Sequence, residues 1–359
     1  MASRKKLLIS VVLILAGIIS TIFVSIETNS EVIIQGRLVG YNIEVAGDFA
    51  YVSNNDGVVV IDKSVYNTPL RIANIPLSNG AFGMDIDDDL LYIAGTSNGL
   101  VIVDISVPAS PVILGNATIG VAYNVFVTDN RAYTVNTYGE LGIVDVSNAS
   151  NPSVLGIFTV ASRGIDVAVV GDIGYFAAPD SGLVVVNVSD PSSLDVIQTL
   201  PNTNGAWDIC VHEEILYLGR HGGGLNIYNI SSPEDPTWLS SFNDGGEVYG
   251  VSGDGEYLVL ADLQEGAELL DVTDPEDPIL LAKYMDAAPH SVYYDGVYAY
   301  LGDQDKEFIL IDFDGDEPMG YPSRSPNVDW LWAIPIMLFA LGISVVVLPV
   351  IAAKMKKTQ

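Results

Sequence analysis

The sequence predicts an all-β ring, a seven-bladed β-propeller of four-stranded antiparallel blades, and three observations lead there. An apolar octet, GLVIVDIS at 99–106, returns in variant form along the chain. Its copies are evenly spaced, and a period of ~40–45 residues marks propeller blades. The last copy lacks a following strand, whereas the first is preceded by a spare one.

The octet's relatives are VVVID (58–62), LVIVD (100–104), LGIVD (141–145), LVVVN (183–187), LNIYN (225–229), AELLD (267–271) and FILID (308–312). The closing Asp or Asn falls at 62, 104, 145, 187, 229, 271 and 312, so successive spacings are 42, 41, 42, 42, 42 and 41. Each unit opens on a first strand such as YNIEVA or GIDVAVV, then a short Gly/Asp/Asn turn. A second strand follows, as in AYVS (50–53) or AYLG (299–302), then a loop usually closing on Gly, then the octet as third strand. A polar stretch with Pro leads to a fourth strand such as PVILGNAT or PILLAKY. Runs of β-branched and aromatic residues between turn signals are strands. An octet apolar on both faces fits a sheet packed between two neighbours rather than one with a wet face. After FILIDF (308–313) no fourth strand follows, while VIIQGRL (32–38) precedes the first unit and matches VILGNAT (112–118). The N-terminal strand 32–38 is therefore expected to complete the last blade and remove the exposed edges.

These residues resemble the LVIVD-repeat family of bacterial and archaeal surface proteins over about 31–313, with a literal match at 100–104. The fourth and fifth copies depart by Asn187 and Asn229, and the sixth and seventh are looser. The resemblance implies a β-propeller on a cell surface and supplies neither an activity nor active-site residues.

The flanks differ in kind. Arg4-Lys5-Lys6 precedes an uncharged run at 7–24, which reads as a signal peptide or N-terminal signal anchor within 1–30. The propeller ectodomain is expected over 31–317 and a juxtamembrane linker over 318–329. An apolar span at 330–353, with Trp330 and Trp332 at its start, reads as a transmembrane helix. The tail 354–359 holds three lysines and is expected in the cytoplasm, with the propeller outside the cell.

Formal charge is −30, and the stretch from Glu27 to Asp329 carries all 45 acidic residues against nine basic ones. Such a surface repels phosphate backbones and argues against nucleic acid as a partner. Basic partners, cations or a salty environment fit it, and plain solubility is the bland alternative. Cys210 is the only cysteine, so no intrachain disulfide forms.

Aligning the units places Asn42, Gly83, Asn124, Asp166, Asp208, Gly250 and Ser291 at the start of the first strands. Tyr41, Phe82, Tyr123, Ile165, Trp207, Tyr249 and His290 stand just before them. First strands line a propeller's channel, so these two sets are expected to ring its mouth as a polar pocket with an aromatic wall. The alternative is packing between blades. A third ring lies at the end of the second strands: Asn54, Gly95, Asn136, Ala178, Arg220, Asp262 and Asp303. There Arg220 is expected either to cluster with Asp208, Asp262 and His221 or to form a surface salt bridge of little worth.

No cofactor is expected except calcium, which favours oxygen clusters such as Asp312, Asp314 and Asp316 in DFDGDE. The EF-hand pattern fails, since Glu317 stands where Gly is needed and Ser323 where the bidentate Glu belongs. DIDDD (85–89) reads as a turn, and His212, His221 and His290 lack zinc spacing. Asn116, Asn148, Asn187 and Asn229 begin N-x-S/T sequons and are candidate glycan sites. No G-x-S-x-G, P-loop or H-E-x-x-H occurs. The expected function is an interaction module binding a cell-surface protein or glycan, as in adhesion. The alternatives are a hydrolase using channel-mouth carboxylates and a structural component of the cell envelope.

Overall fold

The computed structural model describes residues 6–15, 18–27, 31–34, 40–65, 69–95, 99–243, 245–285, 287–303, 307–313 and 345–347. These fall into two compact units, Glu31–Phe313 and the two flanks Met1–Ser30 with Asp314–Gln359.

The first unit is a ring of seven four-stranded antiparallel sheets. Blade 1 runs through strands Ile43–Ala46, Phe49–Asn54, Gly57–Asp62 and Leu70–Pro76. The first strands of blades 2 to 7 are Ala81–Asp87, Asn124–Thr128, Asp166–Val170, Ala206–His212, Val248–Gly253 and Pro289–Tyr294. Each touches the first strand of the next blade, and the seventh touches the first, so they form a closed inner circle. The fourth strand of blade 7 is Glu31–Ile34, which pairs antiparallel with Glu307–Asp312 in the register Glu31↔Ile311 to Ile34↔Phe308. The expected closure is thus made from the N-terminal side; residues 35–39 lie outside the described set.

The octet's double-sided apolarity has a direct cause. Val101 and Val103 lie in the core between blades 1 and 2 with Tyr51, Val60 and Ile93. Leu100 and Ile102 lie in the core between blades 2 and 3 with Val125, Ala132 and Val144. Side chains alternate across a strand, so a blade sandwiched on both sides needs every third-strand position apolar. The ring closes with the same packing: Ile43, Val52 and Val59 of blade 1 meet Tyr300, Phe308 and Leu310 of blade 7.

The aspartate that ends the octet stops the strand. Asp104 Oδ1 accepts the Ser106 N–H at 2.9 Å and the Ser106 hydroxyl at 2.6 Å, an Asx-turn. Asp62, Asp145 and Asp271 accept the corresponding N–H of Ser64, Ser147 and Thr273. Asn187 and Asn229 do the same with Ser189 and Ser231, so the two departures from Asp keep the acceptor that matters. The octet begins on a glycine for a different reason. Gly99 has φ +69°, and a Cβ there would collide with the Ala117 carbonyl of the adjoining fourth strand.

In the second unit, Lys6–Leu15 and Ile18–Glu27 pair as an antiparallel hairpin, and Val345–Val347 adds to Val11–Leu13. The run 7–24 was expected as a helix, and the structure corrects this. Ten of the 22 residues from 6 to 27 are Ile, Val or Thr. Short apolar runs of this composition suit a strand as well as a helix. Among the described residues no helix is long and apolar enough to cross a membrane. Apart from Val345–Val347, the expected span 330–353 lies outside the described residues, as do the linker 318–329 and the tail.

Candidate functional site

The site is assembled where the chain enters each first strand. In blades 2, 5, 6 and 7 the pairing of first and second strands slips, between Ala81 and Met84, Ala206 and Asp208, Val248 and Gly250, and Pro289 and Ser291. The slip leaves Phe82, Trp207, Tyr249 and His290 out of the ladder, and such bulges re-aim side chains. They point to the channel mouth. Phe82 stacks on Tyr123 with ring centroids 5.0 Å apart and tilts against Tyr41 at 4.9 Å. On the opposite arc Trp207 meets Tyr249 at 5.1 Å, and Tyr249 meets His290 at 5.2 Å. A collar of rings thus edges a cavity of ≈ 100 Å³, which Asn42, Asn124, Ile165, Asp208 and Ser291 also line. The residues aligned by sequence are brought together here, with Asp166 placed just behind the lining.

His221 comes from the loop after the second strand of blade 5 and stacks on Trp207 at 3.6 Å and 16°. Burial lowers its pKa to about 4, with the nearby Arg163 charge adding to the effect. Burial also lowers His290. Both imidazoles are therefore neutral at pH 7. Arg163 reaches in from the loop before blade 4, its guanidinium carbon 5.3 Å from the Trp207 ring centre.

Behind the collar lie buried carboxyls. Asp166 accepts Asn124 Nδ2–H at 2.6 Å and the Ile209 N–H at 2.8 Å, and shares a hydrogen bond with Asp208. Asp208 accepts the Val251 N–H at 2.6 Å. Asp85 accepts the Val127 N–H at 2.5 Å, and Ser252 Oγ accepts the Tyr294 N–H at 2.9 Å. In all four cases the backbone donor belongs to the next blade's first strand. These side chains clip neighbouring blades at the channel, where an unpaired backbone N–H would be costly. Burial is the leading cause that raises all four acids: Asp85 to about 7, Asp208 to about 6, and Asp166 and Glu44 well above the usual carboxylate range. Asp208 further raises Asp166, and Asp85 further raises Glu44. The Asp166–Asp208 contact is closer than the ~5–5.5 Å that a retaining glycosidase keeps between its carboxyls.

The third ring does other work. Asn54, Asn136 and Asp262 accept backbone N–H groups of the turns that follow them, and Asp303 accepts the Ala288 N–H. The expected cluster of Arg220 with Asp208, Asp262 and His221 does not form. Arg220 Nε and Nη2 donate to the Asn204 carbonyl at 3.1 and 2.9 Å, and Nη1 donates to Asn226 Oδ1 at 3.3 Å. Asp208 is already engaged by blade 6, Asp262 by its own turn, and His221 by Trp207. Among the described residues no His, Cys, Asp or Glu group is arranged to hold a metal. Asp312 ends the third strand of blade 7, and Asp314 and Asp316 lie outside the described residues. Asn116 and Asn148 are exposed, whereas Asn187 and Asn229 are half-buried in their Asx-turns.

Sequence reasoning missed Glu44, Asp85 and Arg163. Asp85 was read into a turn, yet it belongs to the strand Ala81–Asp87. Both acids stand two residues beyond the aligned ring positions Asn42 and Gly83. The two-residue period of a strand was the signal that would have found them. Arg163 belongs to no repeat, and only its rarity as a basic residue marks it.

Solved structures share the architecture. The crystal structure of the computationally designed Ika8 protein matches at TM-score 0.56 and 9% identity, covering 78% of this chain and 98% of that one. The RRP9 WD40 repeats match at 0.64 and 11%, covering 79% and 97%, and U3-55K at 0.64 and 11%, covering 79% and 98%. At such identities the likeness concerns the fold alone. Comparison with curated proteins gives no match. The LVIVD repeat model matches residues 40–65, 83–118, 119–160, 164–200, 205–244 and 290–313. The unmatched stretch contains blade 6, whose octet AELLD is among the loosest, yet its four strands are complete. With more than half its length matched, the chain belongs to the LVIVD repeat family.

Proposed function

We propose that the ring is an interaction module that binds a partner through the face bearing the aromatic collar. The observation that carries this reading is the collar itself. Bulges in blades 2, 5, 6 and 7 lift a ring out of the ladder towards the same mouth. Large amphipathic side chains gathered on an accessible face are typical binding anchors. The cavity of ≈ 100 Å³ is small beside the ~300–1,000 Å³ of small-molecule sites, which favours a partner resting on the rim. The partner is a surface protein or glycan, as in adhesion. The module works outside the cell, held to the membrane by the apolar run 330–353. The acidic surface supports basic partners over nucleic acid.

The test is a binding screen of the full chain against surface proteins and glycans, with and without calcium, repeated with Trp207→Ala and Tyr249→Ala. The expected result is a ligand whose capture falls at least tenfold in either variant. A ligand captured equally by both variants overturns the collar as the binding face. Extraction of cell membranes at high pH tests the attachment, with the protein expected in the pellet.

A further inference from the structure

The mouth has the chemistry of a cation site. Tyr41, Phe82, Tyr123, Trp207 and Tyr249 line one cavity, and each ring carries a π-system that attracts cations. Neither histidine there contributes a positive charge. Two polar atoms are also unspent. Asn42 Oδ1 and Ser291 Oγ are buried without a hydrogen-bond partner, both residues line the cavity, and Ser291 is only 6% exposed. The volume of ≈ 100 Å³ admits the tip of a side chain and not a sugar ring with its neighbours.

Arg163 is the second, independent observation. It is half-buried, and among the described residues it has no carboxylate partner, although the chain holds 45 acidic residues. It lies instead over Trp207, in cation–π geometry. The protein's own cation has settled on the collar rather than on a neighbouring acid.

We propose that the mouth binds the ammonium group of a lysine side chain presented by a partner protein, and that Arg163 is the resident cation this lysine displaces. The inference rests on the collar face being the binding surface, and it names the chemistry of the group received there.

The experiment titrates the full chain calorimetrically with tetramethylammonium chloride, with Nα-acetyl-lysine amide and with a short lysine-bearing peptide. The Nε-acetylated lysine derivative and acetate serve as neutral and anionic controls. Saturable binding of the three cations is expected, strongest for the peptide; tetramethylammonium binding as tightly as the peptide overturns the lysine assignment. Arg163→Ala and Arg163→Gln should each tighten binding by roughly 5–10-fold, because the resident cation is gone. Trp207→Leu should weaken it about tenfold, while Trp207→Phe, which keeps a ring and protects against misfolding, should retain most of it. Binding of the neutral or anionic control as tight as that of the cations overturns the proposal, as does an Arg163 variant that binds no more tightly. If partner capture still depends on Trp207 while lysine fails to compete, the cation assignment falls and the binding face stands. If capture ignores the collar, the binding face itself falls.

Discussion

Two sets of carboxyl groups serve the ring, one at the channel and one recurring at the period of the repeat where the third strand ends, and the fold treats them oppositely. Asp104 and Asp208 both accept a backbone N–H within 2.9 Å. Yet Asp62, Asp104 and Asp145 are held below the usual carboxylate range, by the hydroxyl and then the N–H of the serine two residues on. Asp85, Asp166 and Asp208 accept comparable bonds and are pushed up, because burial outweighs them. Solvation, not the hydrogen bond, decides the direction. The outer turns use the charged form of the side chain as a strand terminator. The channel uses the same residue type as a clip between blades and favours its neutral form.

The largest expected effect comes from breaking a channel clip. Asp208→Ala leaves the Val251 N–H and Asp166 without their partner. Buried groups orphaned in this way typically cost about 1–3 kcal/mol, to be read by urea denaturation at pH 5. Asp208→Asn preserves an acceptor for Val251 and offers an amide N–H to Asp166, so it should recover most of that loss. If the alanine variant is as stable as the parent, the clip is decorative and the contrast between the two sets has no energetic content.

Next in size is the pH profile. A carboxyl whose folded pKa is raised stabilises the fold below its unfolded value near 4 and loses that contribution as pH rises through the folded value. For the channel acids the window runs from about pH 4 up through Asp208 at about 6 and Asp85 at about 7. The strand-ending aspartates have lowered values, so their contribution is present above the unfolded pKa and disappears only as pH falls below about 4. Stability should therefore decline from pH 5 to pH 8, and Asp208→Asn should flatten that decline. A profile that rises over the same interval would show that the channel acids are ionised without penalty.

The two regions also differed in how far the sequence disclosed them. The strand-ending aspartates were legible because they repeat: a spacing of 41–42 residues and an apolar run before locate every one, and a Ser or Thr stands two residues after each except Asp312. Ring closure was legible for the same reason, since VIIQGRL matches a fourth strand and Glu31–Ile34 indeed pairs with the last third strand. The collar followed from alignment of the units, although nothing in the sequence announced the slip in pairing that lifts Trp207 and Tyr249 out of the ladder. Glu44 and Asp85 were obscured because each blade spends its first strand differently, whereas Asp166 and Asp208 stand at the ring positions that alignment marks. The residue two beyond the ring position is Glu44 in blade 1, Asp85 in blade 2, Cys210 in blade 5 and Ser252 in blade 6. Once a closed circle supplies the neighbours, different side chains can clip the same backbone position, and no repeat need record them. Arg163 and His221 reach the site from loops, where length and direction are set by tertiary packing.

A smaller effect is expected at the outer turns. Asp104→Ala removes the acceptor for the N–H and hydroxyl of Ser106, both of which turn to water instead. The denaturation midpoint should fall, but by clearly less than for Asp208→Ala, because an exposed donor is resolvated where a buried one is not. Equal losses at the two sites would remove burial as the distinction between them.

The smallest effect isolates what the terminating residue must be. Asn187 holds the Ser189 N–H at 2.9 Å and the Ser189 hydroxyl at 2.6 Å, the same distances as at Asp104. If one oxygen acceptor is the whole requirement, Asn187→Asp changes nothing measurable in the denaturation midpoint at pH 7 and adds one group that titrates below its usual range. The substitution also destroys the N-x-S sequon while Ser189 and its turn stay in place. Protein made in a glycosylating host then reports separately on the glycan, since loss of an attached sugar increases electrophoretic mobility whatever happens to stability. A destabilised Asn187→Asp protein would mean that blade 4 needs the amide donor as well, and that Asn at the octet's end is a distinct device rather than a neutral replacement for Asp.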